Sequence, residues 1–157
     1  MPTIIAVDSS LSMLQPLPKA GQNNPDAMED DATDTVFDLA KMGINMILEH
    51  LKTNYKLEQV AMLSFASQCE LVSPFTRDVA SIQDQMASID CYDKTNVMAG
   101  IRGIASAVED HWGTGIPVNV VLVTDGGLGN GPESLGHFVL RGCVKRFQQF
   151  RVTHQNI

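Results

Sequence analysis

The chain has 157 residues, 44 % of them hydrophobic and 18 % charged, with a formal net charge of −7. That length suits one domain with a real core rather than two, and the composition is globular rather than disordered. No apolar run approaches the roughly 20 residues that span a bilayer, the start MPTIIAVD lacks the basic region and long apolar core of a signal peptide, and the acidity is the wrong sign for a nucleic-acid binder.

The charge is uneven. Residues 1–137 hold all 18 acidic side chains and seven of the eleven basic ones, a net of −11, and Arg141, Lys145, Arg146 and Arg151 follow. The acidic part favours cations and basic partners. Cys69, Cys91 and Cys143 are odd in number and lack CxxC spacing, so they read as reduced thiols of an intracellular protein, small buried hydrophobes in role.

In chain order, Ile4, Ile5, Ala6 and Val7 form an unbroken apolar run, the mark of a strand buried on both faces in a parallel sheet. Asp8 ends it, and the hydroxyls of Ser9, Ser10 and Ser12 follow within four residues. In open α/β sheets, ligands bind in the crevice outside the carboxyl ends of the strands. Residues 13–33, with Pro16, Pro18, Gly21 and Pro25, are loop by composition. Glu29, Asp30, Asp31 and Asp34 close that loop as a solvated acidic start to a helix, with Thr33 or Asp34 as its N-cap.

That helix is expected over 35–52, burying Val36, Leu39, Ala40, Gly43, Ile47 and Leu51, with Met42, Met46 and Leu48 widening the stripe. Residues 59–65 and 69–73 predict two short strands joined by Ala66, Ser67 and Gln68 as a hairpin, ended by Pro74. A second helix follows over 79–89, with Val79, Ile82, Met86 and Ile89 in register. After the polar turn of Asp90 to Thr95, a third helix buries Val97, Ile101, Ile104, Ala105, Val108 and Trp112, and Gly113 and Gly115 end it. Asp93 is expected to cap that helix. Residues 118–124 give a second buried strand, ending in Asp125 and the glycine-rich 126–131.

Two apolar strands thus end in carboxylates. If they are neighbours, Asp8, Ser10, Ser12 and Asp125 line one crevice, and Thr95 adds a third hydroxyl from the loop before the third helix. Hard oxygen ligands without thiol or imidazole suit Mg²⁺, Mn²⁺ or Ca²⁺ better than zinc. Neutral hydroxyls with two carboxylates make a weak-field site that keeps an open position, which a partner's carboxylate can take.

The pattern Asp8-x-Ser10-x-Ser12, the threonine at Thr95 and the run Thr124-Asp125-Gly126 resemble the metal-ion-dependent adhesion site of the von Willebrand factor A domain. TNYKLE from Thr53, PFTRD from Pro74, YDKT from Tyr92 and VVLVTDG from Val120 further resemble the N-terminal A domain of the Integrator complex subunit 14 family. The resemblance implies an α/β fold, an open, mostly parallel sheet with helices on both faces. It implies Ser10 and Ser12 as direct ligands of Mg²⁺ or Mn²⁺, Asp8 as part of the same motif, Thr95 as the ligand that engages with a bound partner, and Asp125 as the acid reaching the metal directly or through water. It also implies a non-catalytic scaffold in the nucleus, working in small nuclear RNA and RNA polymerase II transcript processing beside Integrator subunits 13 and 10.

The likeness runs over 1–136. Residues 137–157 diverge into a basic tail, so the A-like domain reads as cut short after its fourth strand. Two other readings of the site stay open. One is a metal-dependent, phosphatase-like enzyme with Asp8 as nucleophile, weakened because the general acid expected two residues on is replaced by Ser10. The other is an A domain whose metal site is no longer used. His50, His111, His137 and His154 show no zinc spacing, and 126–131 lacks the GK[ST] of a phosphate-binding loop.

Overall fold

A computed structural model describes residues 1–17, 34–113 and 115–126. The acidic residues Glu29, Asp30 and Asp31, the glycine-rich stretch beyond Gly126, Cys143, the basic tail and the boundary at 136 lie outside the described residues.

The elements are β1 (Thr3–Asp8), a 3-10 turn (Leu11–Leu14), α1 (Val36–Asn54), β2 (Val60–Phe65), β3 (Cys69–Thr76), α2 (Val79–Ala87), α3 (Val97–Trp112) and β4 (Asn119–Val123). The sheet order is β3-β2-β1-β4. β1 is parallel to both neighbours, pairing Ile5 with Met62 on one side and with Val121 on the other. β2 and β3 form the expected antiparallel hairpin, with a register irregularity around Met62.

β1 is central among these strands, and all six of its residues are buried. Side chains alternate across a strand, which sorts its residues into two cores. Ile5 and Val7 pack with Phe37, Ile44, Leu48, Ile82 and Met86, the α1 and α2 face. Ile4 and Ala6 pack with Leu63, Phe65, Val97, Ile104 and Val108, the α3 face. Helices therefore cover both faces of a mostly parallel sheet, the architecture expected from the sequence. Burying each such aliphatic side chain contributes about 1.5–3 kcal/mol, so β1 anchors the position of the residues at its carboxyl end.

Several local expectations are corrected. α1 buries Phe37, Ile44 and Leu48, with Ala40, Ile47 and Leu51 partly covered, whereas Leu39, Met42 and Met46 are 53–74 % exposed. The helix carries apolar residues nearly all round, and the bulk of Phe37, which lies off the expected stripe, sets its rotation. β3 continues through Pro74 to Thr76. It is an edge strand, where a residue without an N–H is tolerated. α2 stops at Ala87, and β4 is only partly buried, with Leu122 37 % exposed, because among the described residues it has a neighbour on one side only.

The N-cap of α1 is Thr35, not Thr33 or Asp34. Thr35 Oγ1 accepts from the Asp38 N–H at 3.2 Å while Asp38 Oδ2 accepts from the Thr35 N–H at 2.9 Å, a reciprocal capping box. Thr35 also forms an antiparallel bridge with Pro16. The Asp38 carboxyl is held below its usual range, chiefly by the Thr35 hydroxyl. A depressed carboxylate contributes stability that is present above its unfolded pKa and lost as pH falls through the folded value. Thr35→Ala is therefore expected to lower unfolding free energy by about 0.5–2 kcal/mol, and a urea titration at pH 7 and at pH 3 should show the difference shrinking at the lower pH.

Candidate functional site at the carboxyl ends of the strands

Three segments meet beyond the carboxyl end of β1. The Ser9 N–H donates to the Phe65 carbonyl at 2.8 Å, the Leu11 N–H to the Asp93 carbonyl at 3.0 Å, and the Tyr92 N–H to the Ser9 carbonyl at 2.8 Å. The Asn96 N–H donates to the Ala66 carbonyl at 2.9 Å. The turn after β1, the hairpin after β2 and the loop before α3 are thus locked by backbone bonds, and the side chains between them have little freedom.

Asp8 is fully buried. Its Oδ1 accepts from the Ser10 N–H and its Oδ2 from Thr124 Oγ1, each at 2.9 Å. Among the described residues it has no ion-pair partner within 4.0 Å. A buried carboxylate without a cationic partner is costly, and proteins normally pair such a group or place it at a metal.

Ser10 stands at the N-cap of the 3-10 turn, where a serine hydroxyl ordinarily accepts from a backbone N–H. It makes no such bond here. Its hydroxyl lies 3.0 Å from Ser12 Oγ and accepts from Thr95 Oγ1 at 2.8 Å. Three hydroxyls, two from one loop and one from 85 residues away, are therefore gathered together. Oxygens bound side by side to one Mg²⁺ at 2.0–2.1 Å would stand about 2.9 Å apart, so the spacing of this set suits such an ion. Among the described residues no three His, Cys, Asp or Glu side chains group as around a metal, so any cation here would depend on these hydroxyls.

The structure therefore brings Asp8, Ser10, Ser12 and Thr95 into one network. Asp125 follows Thr124, whose hydroxyl touches Asp8, and is exposed at the end of β4. Thr124, named in the sequence only as part of the run Thr124-Asp125-Gly126, is a member of the site in its own right. Its Oγ1 also accepts from the Gly126 N–H at 3.2 Å, and Gly126 sits at φ 85°, in the region that favours glycine.

Asp93 does not cap α3. Asn96 does, accepting from the Ala99 N–H at 3.1 Å. Asp93 takes the left-handed conformation, φ 55°, which turns its carbonyl toward Leu11. The Ser67 side chain, and then the Lys94 backbone, hold its carboxyl below the usual range. Cys91, close by, has its thiol pushed up by burial, and burial likewise raises Cys69 to about 11. Both cysteines are free thiols that are only partly covered, not the fully buried hydrophobes expected from the sequence.

A family model for the von Willebrand factor type A domain matches residues 3–128. The chain belongs to that family. Integrator complex subunit 14 of Xenopus tropicalis is 44 % identical to this A domain over 137 residues, covering 87 % of this chain and 25 % of that protein. The chain thus spans about a quarter of the length of the curated relatives it matches. The crystal structure of the conserved hypothetical protein BatB from Bacteroides thetaiotaomicron has a TM-score of 0.64 at 22 % identity, covering 97 % of this chain and 64 % of that one. That of the SpRpn10 VWA domain has 0.56 at 16 % identity, covering 80 % and 62 %. At such identities these structures speak for the fold of the A domain alone.

Proposed function

We propose that this A domain is a non-catalytic protein-interaction module that holds Mg²⁺, or Mn²⁺, at its strand ends and offers it to an acidic side chain of a partner. Ser10 and Ser12 would hold the ion directly, Thr95 would engage it as the partner docks, and Asp8 and Asp125 would balance its charge directly or through water. Bound there, the ion supplies an open electrophilic position that takes a carboxylate. The observation that carries the reading is the convergence of the Ser10, Ser12 and Thr95 hydroxyls at 2.8 and 3.0 Å beside a buried carboxylate with no cationic partner among the described residues.

The same geometry argues against the phosphatase-like alternative. Asp8 is fully buried with both oxygens already accepting hydrogen bonds, a poor state for a nucleophile, and the position of a general acid is a serine. The likeness to Integrator complex subunit 14 supports the setting. We read the module as a scaffold part of a nuclear Integrator assembly, beside subunits 13 and 10, serving small nuclear RNA processing and 3′-end processing of RNA polymerase II transcripts.

Calorimetric titration of the chain with MgCl₂ and MnCl₂, with capture of subunits 13 and 10 on the same samples, tests this. The expected result is saturable binding at one site, weakened at least tenfold by Ser10→Ala, with capture falling in parallel. Binding that Ser10→Ala leaves unchanged would sink the metal assignment. Capture that survives loss of the metal would mean that the scaffold works through another face.

A further inference from the structure

A cleft of about 220 Å³ opens at the other end of the sheet, between the last turn of α1 and the first turn of α2. The strand β2 separates it from the hydroxyl cluster by roughly 17 Å. Its floor is apolar, formed by Leu51 with Val60 and Val79, which are 2 % and 7 % exposed. Its rim is cationic. Lys52, Lys56 and Arg77 all line it, three of the seven basic side chains in a stretch of net charge −11.

These charges are not spent inside the fold. Among the described residues Lys56 and Arg77 have no ion-pair partner, and Lys52 makes one exposed contact with Glu49 at 3.4 Å. Glu58, the acid on the cleft wall, is already engaged. Its carboxylate accepts from Thr3 Oγ1 at 3.0 Å and from the N-terminal ammonium at 3.2 Å. Beside the cleft, Tyr55 and Leu57 are 53 % and 80 % exposed.

We propose that this cleft docks an acidic peptide segment of a partner protein. One apolar side chain of the segment sits on Leu51, Val60 and Val79, and flanking carboxylates meet Lys52, Lys56 and Arg77. The volume is below the 300–1,000 Å³ or so of a small-molecule pocket and suits a single side chain. Charge complementarity selects the sign of the partner, and the arginine fork offers a paired contact to a carboxylate. A bare anion would leave the apolar floor and Tyr55 unused, which is why a peptide is favoured over phosphate. Because the charges are exposed, the contact is salt-sensitive.

The test is fluorescence anisotropy of a labelled DEFDE peptide with the 157-residue chain, in EDTA so that the strand-end cluster takes no part. Saturable binding is expected, weakened at least tenfold by the K56E/R77E double variant, at least fivefold for DEGDE, and lost in 0.5 M NaCl. Ser10→Ala should leave it unchanged. Both charge reversals lie on exposed side chains that have no ion-pair partner among the described residues, and circular dichroism checks that the variant is folded. Equal binding of KKFKK, or no change in K56E/R77E, would overturn the proposal. So would millimolar inorganic phosphate displacing DEFDE while DEGDE binds as well, which would mean an anion site without peptide selectivity. Dimerisation of the chain that K56E/R77E abolishes in sedimentation would also overturn it, in favour of an interface between copies.

Discussion

Phe65→Ala is expected to lower the unfolding free energy by about 3–5 kcal/mol. Phe65 ends β2, is fully buried, and joins the cluster of Ile4, Ala6, Val97 and Ile104 on the α3 face. Its ring lies flush under α3, where a β-carbon added to Gly100 would stand 2.9 Å from Phe65 Cγ. Domains are stable by about 5–15 kcal/mol, so the loss is a large fraction of the total and lowers Tm by on the order of 10 °C. The site should loosen with the core, because α3 is what carries Thr95 to Ser10. Urea unfolding measures the first effect, and amide exchange at Ser9 and Asn96, which donate to the carbonyls of Phe65 and Ala66, measures the second. A loss under 1 kcal/mol would mean that the ring is not packed as described.

Gly103→Val should destabilise by about 1–3 kcal/mol or more, through overpacking. A β-carbon at Gly103 would collide with Cys69 Sγ, approach Cys69 Cβ at 2.9 Å and Leu63 Cδ2 at 3.3 Å. The few tenths of a kcal/mol gained from leaving glycine in a helix do not offset that. Gly43 in α1 has open space instead, so Gly43→Ala should stabilise by about 0.5–1 kcal/mol. Cys69→Ala should rescue part of the Gly103→Val loss, since it removes the sulfur but not the neighbouring carbon. Additive effects of the two substitutions, read from a double-mutant cycle in urea, would contradict the packing.

Much of the fold was legible because each element repeats its signal. The run Ile4 to Val7 is apolar at every position, and only a strand covered on both faces asks for that. Asp8 at its end, followed by hydroxyls, could be placed because strand direction fixes which end of a parallel sheet gathers the loops. Less legible were features in which several residues compete for one role. α1 has more apolar residues than one face needs, so periodicity alone could not choose between a stripe through Leu39 and Met46 and one through Phe37, Ile44 and Leu48. Asp93 and Asn96 are both good caps, and the choice was made by a distant demand, the Asp93 carbonyl that Leu11 requires. Thr124 stands in the run Thr124-Asp125-Gly126 without a role of its own in the sequence, because its partner Asp8 is 116 residues away and only the pairing of β1 with β4 reveals the contact.

The glycines of α3 carry a related lesson. Gly100 and Gly103 let α3 settle onto Phe65, Leu63 and Cys69. That close approach brings the start of the helix, and with it Thr95, within reach of Ser10. The hydroxyl cluster therefore depends on small residues one and two turns further along α3, which no motif search at the site would include.

The most direct measurement is diffraction from crystals of the chain soaked in Mn²⁺, collected at the manganese edge. An anomalous peak bonded to the hydroxyls of Ser10 and Ser12, beside Asp8 and Thr95, is expected, and it should be absent from Ser10→Ala crystals. No peak at that position, with the three hydroxyls still bonded to one another, would contradict it and leave Asp8, Ser10 and Thr95 as a structural hydrogen-bond network.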